Sequence, residues 1–159
     1  MGNADSTNVT SYNERAVRPT LGSRSVRPSQ LRFTHDSIGY KFRGGYTLEN
    51  SLRDLLNNKI NVQSLPRMEV MHHDGHLYVV RGNRRLYLLQ KLEKFGLVNE
   101  ITVYVRRFDS TLFDKQHTTD CGGAYVRIRG RQNTDATLEL IIEQHVHNER
   151  YRNEGCIIL

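Results

Sequence analysis

The stretch from Met68 to Gly96 constrains this chain more than any other. Two short apolar runs, Met68-Glu69-Val70-Met71 and Leu77-Tyr78-Val79-Val80, flank His73-Asp74-Gly75-His76. Asp-Gly accepts the positive φ of a tight two-residue loop, so the spacing predicts an antiparallel hairpin. After Val80 the period changes. Leu86, Leu89, Leu92 and Phe95 recur at helical spacing and Gly96 follows, which predicts a helix that stops at that glycine. The hairpin runs into this helix through Gly82-Asn83-Arg84-Arg85.

That junction is where chemistry is expected. The first turn of a helix presents unpaired N–H groups and the positive end of the macrodipole. Gly82 lets main chain approach a ligand closely, and two arginines can hold phosphate oxygens in bidentate fashion. Cations at a helix N-terminus are unfavourable alone, so these arginines imply either an anionic ligand or carboxylate partners. Asp36, Asp54 and Glu69 are the partners within the same region.

The remaining elements read more simply. Leu31-Arg32-Phe33-Thr34 alternates as a strand. Thr47 is a helix cap, with Leu48, Leu52, Leu55 and Leu56 on one face of a helix running to about Lys59. Ile101–Val105 is a further strand, 108–123 a loop, and Ala124–Arg129 a strand that puts its arginines on one face. Leu138, Ile141, Ile142 and His145 predict a last amphipathic helix ending near Asn148. The expected fold is therefore α/β (α+β): a mixed sheet with flanking helices over 30–107, a strand-and-helix extension packed on it over 108–150, and a tail over 151–159. Residues 1–29, rich in Ser, Asn, Thr and Arg, read as a flexible basic arm.

Composition narrows the function classes. Of 159 residues, 37% are hydrophobic and 25% charged, and the net charge of +6 favours anionic partners. No apolar run approaches the roughly 20 residues needed to span a bilayer, and the first residues lack the apolar core of a secretory signal. Two cysteines, Cys121 and Cys156, make no disulfide framework and suit a reducing compartment. His72, His73 and His76 cluster, but strand alternation sends His72 and His73 to opposite faces, so no metal site is expected there.

The run Asp74 to Tyr87, with its hairpin, its Gly-x-x-Arg turn and the following helix, resembles the ParB/sulfiredoxin family, most closely the ParB-like nuclease domains with an Asn-Arg-Arg-Leu-Tyr signature. Phe33–Ile38, the Leu48–Leu56 helix and the Leu65-Pro66 approach to Val70 follow in the same order. The resemblance implies a phosphate or nucleotide site made by Gly82, Asn83, Arg84 and Arg85, with Ser51 as the hydroxyl of the first helix. It points to ATP or another nucleotide with Mg²⁺ as the cofactor class. The sulfiredoxin cysteine, which attacks a phosphorylated sulfinic acid, is Asn83 here, so that chemistry is not expected, and the glutamate of chromosome-segregation ParB is also replaced by Asn83. Should the domain be an enzyme, phosphoryl transfer is the implied class, with Asp36 as base or metal ligand and Arg85 on the phosphate.

Both termini carry lipidation patterns. Met1-Gly2-Asn3-Ala4-Asp5-Ser6 fits myristoylation at Gly2, and Cys156-Ile157-Ile158-Leu159 fits prenylation at Cys156. Two anchors would suffice for stable attachment at a cytoplasmic membrane face. Three readings follow: a lipid-anchored nucleotide- or phosphate-binding domain; a nucleic-acid-binding or nuclease domain of ParB-like toxin type, using Arg127, Arg129 and Tyr125; and a non-enzymatic membrane adaptor.

Overall fold

The computed structural model describes residues 20–155; Gly2 and Cys156 lie outside the described residues. In chain order the elements are β1 (Thr20–Val26), β2 (Leu31–Phe33), β3 (Ser37–Gly39), α1 (Leu48–Leu56), β4 (Glu69–His73), β5 (His76–Arg81), α2 (Asn83–Lys94), β6 (Ile101–Arg106), α3 (Ser110–Gln116), β7 (Arg127–Arg129) and α4 (Thr134–Glu154). The fold is mixed α/β, as expected. Five strands form one sheet in the order β1-β6-β4-β5-β2, and β3 and β7 form a second, two-stranded sheet.

The β4–β5 hairpin sits at the centre. His73 faces His76 across a two-residue loop, with Asp74 at φ 46° and Gly75 at φ 73°, the mirror-image turn whose twist matches the strands. Alternation then divides the side chains between the faces. Val70, Leu77 and Val79 enter the main core with α1 and α2, whereas Met71, Tyr78 and Val80 pack with Phe113 of α3. Both faces of these strands are covered, which explains their nearly continuous apolar runs. On α1, Leu48, Leu52, Leu55 and Leu56 are all buried, and truncating the fully enclosed Leu52 to alanine would cost about 2–5 kcal/mol. Its N-terminus is closed by a capping box: Asn50 N–H donates to Thr47 Oγ1 and Thr47 N–H donates to Asn50 Oδ1, each at 3.1 Å.

Four expectations need correction. The predicted basic arm is part of the sheet from Thr20 onward, because β1 pairs antiparallel with β6 from Thr20 to Val26, with one irregularity at Leu21. Its exposed side chains carry no apolar alternation; the main-chain ladder to β6 makes it a strand. The expected loop at 108–123 contains α3, capped by Asp109, whose Oδ1 accepts from Leu112 N–H at 3.1 Å. The expected strand at 124–129 shortens to Arg127–Arg129, since only these residues meet β3. The last helix runs on past Asn148 to Glu154.

Residues beyond 107 share the core with those before it: Leu138, Ile141 and Ile142 of α4 belong to the same buried cluster as Leu48 and Leu86. The α2–α4 contact is also polar, with Lys91 between Asp135 and Glu139 at 2.6 Å from each. No helix among the described residues is long and apolar enough to cross a membrane.

Candidate functional site

The turn after β5 forms because Gly82 adopts φ 110° at the N-cap of α2, a left-handed conformation that disfavours other residues. Space forbids a side chain as well: a Cβ there would lie 2.7 Å from Met68 Cγ and 3.2 Å from the Arg85 guanidinium. No side chain caps this helix. Its first intrahelical bond runs from Leu86 N–H to Gly82 O at 2.9 Å. The earlier N–H groups of the first turn have no acceptor within the helix.

Asn83 does not turn toward those groups. Its amide is buried and reaches back to β2 and β5: Oδ1 accepts from Thr34 N–H at 3.1 Å, and Nδ2 donates to Thr34 Oγ1 at 3.0 Å and Val79 O at 3.1 Å. Thr34 Oγ1 donates to Val79 O at 2.7 Å. Asn83 thus locks the start of α2 to the end of β2, and its place in the expected phosphate cradle is that of a buried strut.

Around this helix start lies an open cleft of about 550 Å³, lined by Gly82, Asn83, Arg84 and Arg85, by His35 to Gly39 except Asp36, by Phe42 and Arg43, by Val80 and by Arg129. Four arginines line it and no carboxylate does. Arg84 lies with its guanidinium carbon 4.8 Å from the centre of the Phe42 ring and donates from Nη1 to Lys41 O at 2.9 Å. These contacts fix its planar group at the mouth. Arg85 is half-buried, and its Nη1 is enclosed without a hydrogen-bond partner. Burial disfavours its charge, partly offset by Glu69.

His35 is held below its ordinary pKa, first by burial. Asp36 and a hydrogen bond with Gln116 oppose this, and Arg129 and Arg84 reinforce it. The imidazole is therefore neutral at neutral pH, yet it faces two arginines.

Asp36 is turned to another task. Its Oδ2 accepts from Arg127 Nη2 at 2.8 Å, and its Oδ1 accepts from Ser37 Oγ at 3.1 Å and Thr118 Oγ1 at 3.2 Å. The Ser37 hydrogen bond above all, with those from Arg127 and Thr118, holds the carboxyl below the usual carboxylate range. It is a weak base, tying 118–127 to the β2–β3 connection. Ser51 is half-buried in α1 and does not line the cleft.

Of the expected site residues, then, the structure brings Gly82, Asn83, Arg84 and Arg85 to one cleft and leaves Asp36 and Ser51 off its walls. His35, Phe42, Arg43 and Arg129 complete the cleft from outside the Gly82–Arg85 turn. For Arg129 the only signal was the alternation of arginines on its strand. In the parallel pairing of β3 and β7, Gly39 faces Arg129 and Ser37 faces Arg127, so one arginine enters the cleft and the other meets Asp36.

The lining also tests the Mg²⁺ that the resemblance implies. Magnesium is held by one or two carboxylates together with substrate phosphates. The guanidinium and main-chain N–H donors of the cleft cannot ligate a cation, the Asn83 amide oxygen is engaged by Thr34, and the lining offers only the His35 imidazole and the Ser37 hydroxyl as side-chain lone pairs, with no carboxylate. Glu69, near Arg85, is itself engaged by Arg106 at 2.8 Å and Arg81 at 3.3 Å. The donor set does not fit a divalent cation. Among the described residues no group of three or more His, Cys, Asp or Glu side chains is placed to hold a metal ion. His73 instead packs against Tyr78, Phe113 and His117.

Two other features lie apart. A hollow of about 510 Å³ between α1, α2 and α4 has a Leu55, Leu56 and Leu92 floor and an amide rim, with no arginine. Cys121 lines neither of these cavities; burial would raise its pKa, but hydrogen bonding with Thr119 and with the main chain at 123–125 outweighs this and lowers it.

No protein-family model matches the chain, and no curated protein matches it. Among solved structures the chain is similar to the crystal structure of the C-terminally truncated chromosome-partitioning protein ParB from Caulobacter crescentus complexed with CTP-gamma-S, at 21% identity and a TM-score of 0.39 over 82% of this chain. The chain spans 65% of the length of that protein.

Proposed function

We propose that this domain binds a nucleotide or another phosphate-bearing ligand at the start of α2. The observation that supports this most is the cleft lined by four arginines and no carboxylate around an uncapped helix N-terminus. The charge of the arginines and the N–H groups of the first helical turn favour the same ligand class. Ile38, Phe42 and Val80 add apolar wall beside the arginines, which suits a base or sugar attached to the phosphate.

The reading is one of binding. With Asp36 engaged by Arg127, the cleft presents no base of its own beyond the neutral His35. Calorimetric titration of ATP, CTP, GTP and pyrophosphate into the full chain tests it. Saturable binding weakened by Arg84→Ala supports it, and no binding by the folded protein contradicts it.

A second reading, contact with single-stranded nucleic acid, draws on Arg129 and on Tyr125, which is 64% exposed two residues before β7. It differs by its salt dependence: several phosphate contacts along a strand give a steep fall of affinity with salt, and one cleft gives a shallow one.

A further inference from the structure

We infer that the cleft takes its phosphate ligand as the metal-free polyanion, the guanidinium groups standing where a divalent cation would. This rests on the phosphate-binding reading and specifies the charge state of the ligand.

A nucleotide that carries Mg²⁺ brings a cation with a shell of water whose protons need acceptors. Arg43, Arg84, Arg85 and Arg129 offer donors only, and against these four the lining sets just two side chains free to accept, the neutral His35 and the Ser37 hydroxyl. The two carboxylates close enough to act on cleft groups are already committed, Asp36 to Arg127, Ser37 and Thr118, and Glu69 to Arg81 and Arg106. Releasing either would strand a guanidinium, and Glu69 is buried with its partner Arg106, where that loss is most costly. Mg²⁺ also removes two charges from the ligand, weakening its attraction to each arginine.

The test is calorimetry on the full chain with inorganic pyrophosphate and with ATP, in EDTA and then in excess MgCl₂ at matched ionic strength, so that screening is equal in both arms. The expected result is at least about tenfold tighter binding in EDTA, with Arg129→Ala narrowing that ratio. Equal or tighter binding with Mg²⁺ overturns the inference while leaving phosphate binding intact. No binding in either arm overturns both.

Discussion

Arg129 lies opposite Gly39 in the parallel pairing of β3 and β7, and both residues line the cleft at the start of α2. This register joins a strand near the end of the chain to the β2–β3 region and adds one more guanidinium to those of Arg43, Arg84 and Arg85. The same register sets Arg127 beside Ser37, where it engages Asp36 at 2.8 Å. One short ladder thus separates the arginine that lines the cleft from the arginine that holds the fold.

Gly82→Ala tests the turn itself. With φ at 110° and Met68 Cγ 2.7 Å from the position of a new Cβ, the variant should lose about 2 kcal/mol from backbone strain alone. For a domain of this size that is a fall in Tm of roughly 4–8 °C, readable by thermal unfolding. An unchanged Tm would mean that the turn relaxes freely.

Asn83→Ala and Asn83→Asp separate a buried strut from a ligand contact. The alanine leaves the buried Thr34 N–H without its acceptor and should cost about 2 kcal/mol. The aspartate sets a carboxylate oxygen against Val79 O, where Nδ2 now donates, so it should destabilise more at neutral pH and recover in acid, once protonated. Urea unfolding at two pH values reads both effects.

How much of this was legible in the sequence divides by range. The hairpin, α1 and α2 announce themselves through local chemistry: the Asp74-Gly75 loop, the Thr47 and Asn50 caps, the leucines at helical spacing. Gly82 to Arg85 could be placed at a helix start for the same reason. β1 could not, since Thr20–Val26 becomes a strand only by pairing with β6. Nor could the fate of Asp36, whose partner Arg127 lies 91 positions away. The buried role of Asn83 depends likewise on Thr34, brought alongside by the parallel β2–β5 pairing. Local signals name the turn; non-local pairing decides which side chains face it.

His35 should couple binding to protons. In the free fold its pKa is lowered from 6.5, so the folded chain binds fewer protons than the unfolded one just below that value. Stability therefore falls as pH drops through 6.5 toward the folded pKa. A bound anion favours the imidazolium and raises that pKa, so affinity should strengthen from about pH 8 to about pH 6. His35→Gln should flatten the profile relative to the wild type, which isolates the residue from the ligand's own titration.

The Asp36–Arg127 pair should matter for stability in acid more than for binding. Its carboxyl is held below the usual range, so its contribution is present above the ordinary value of 3.8 and lost as pH falls through the lowered one. Arg127→Ala should raise the Asp36 pKa, measurable by NMR titration, and leave ligand affinity within about twofold, less than a single charge-assisted contact contributes.

The most direct measurement is calorimetric titration of pyrophosphate and ATP, in EDTA, into the full chain beside Arg84→Ala and Arg129→Ala. Saturable binding by the wild type, weakened about tenfold or more in each variant while Tm is preserved for the exposed Arg129, is the predicted result. A folded wild type that takes up neither ligand, or variants that bind as well as it does, would contradict the assignment of this cleft as a phosphate site.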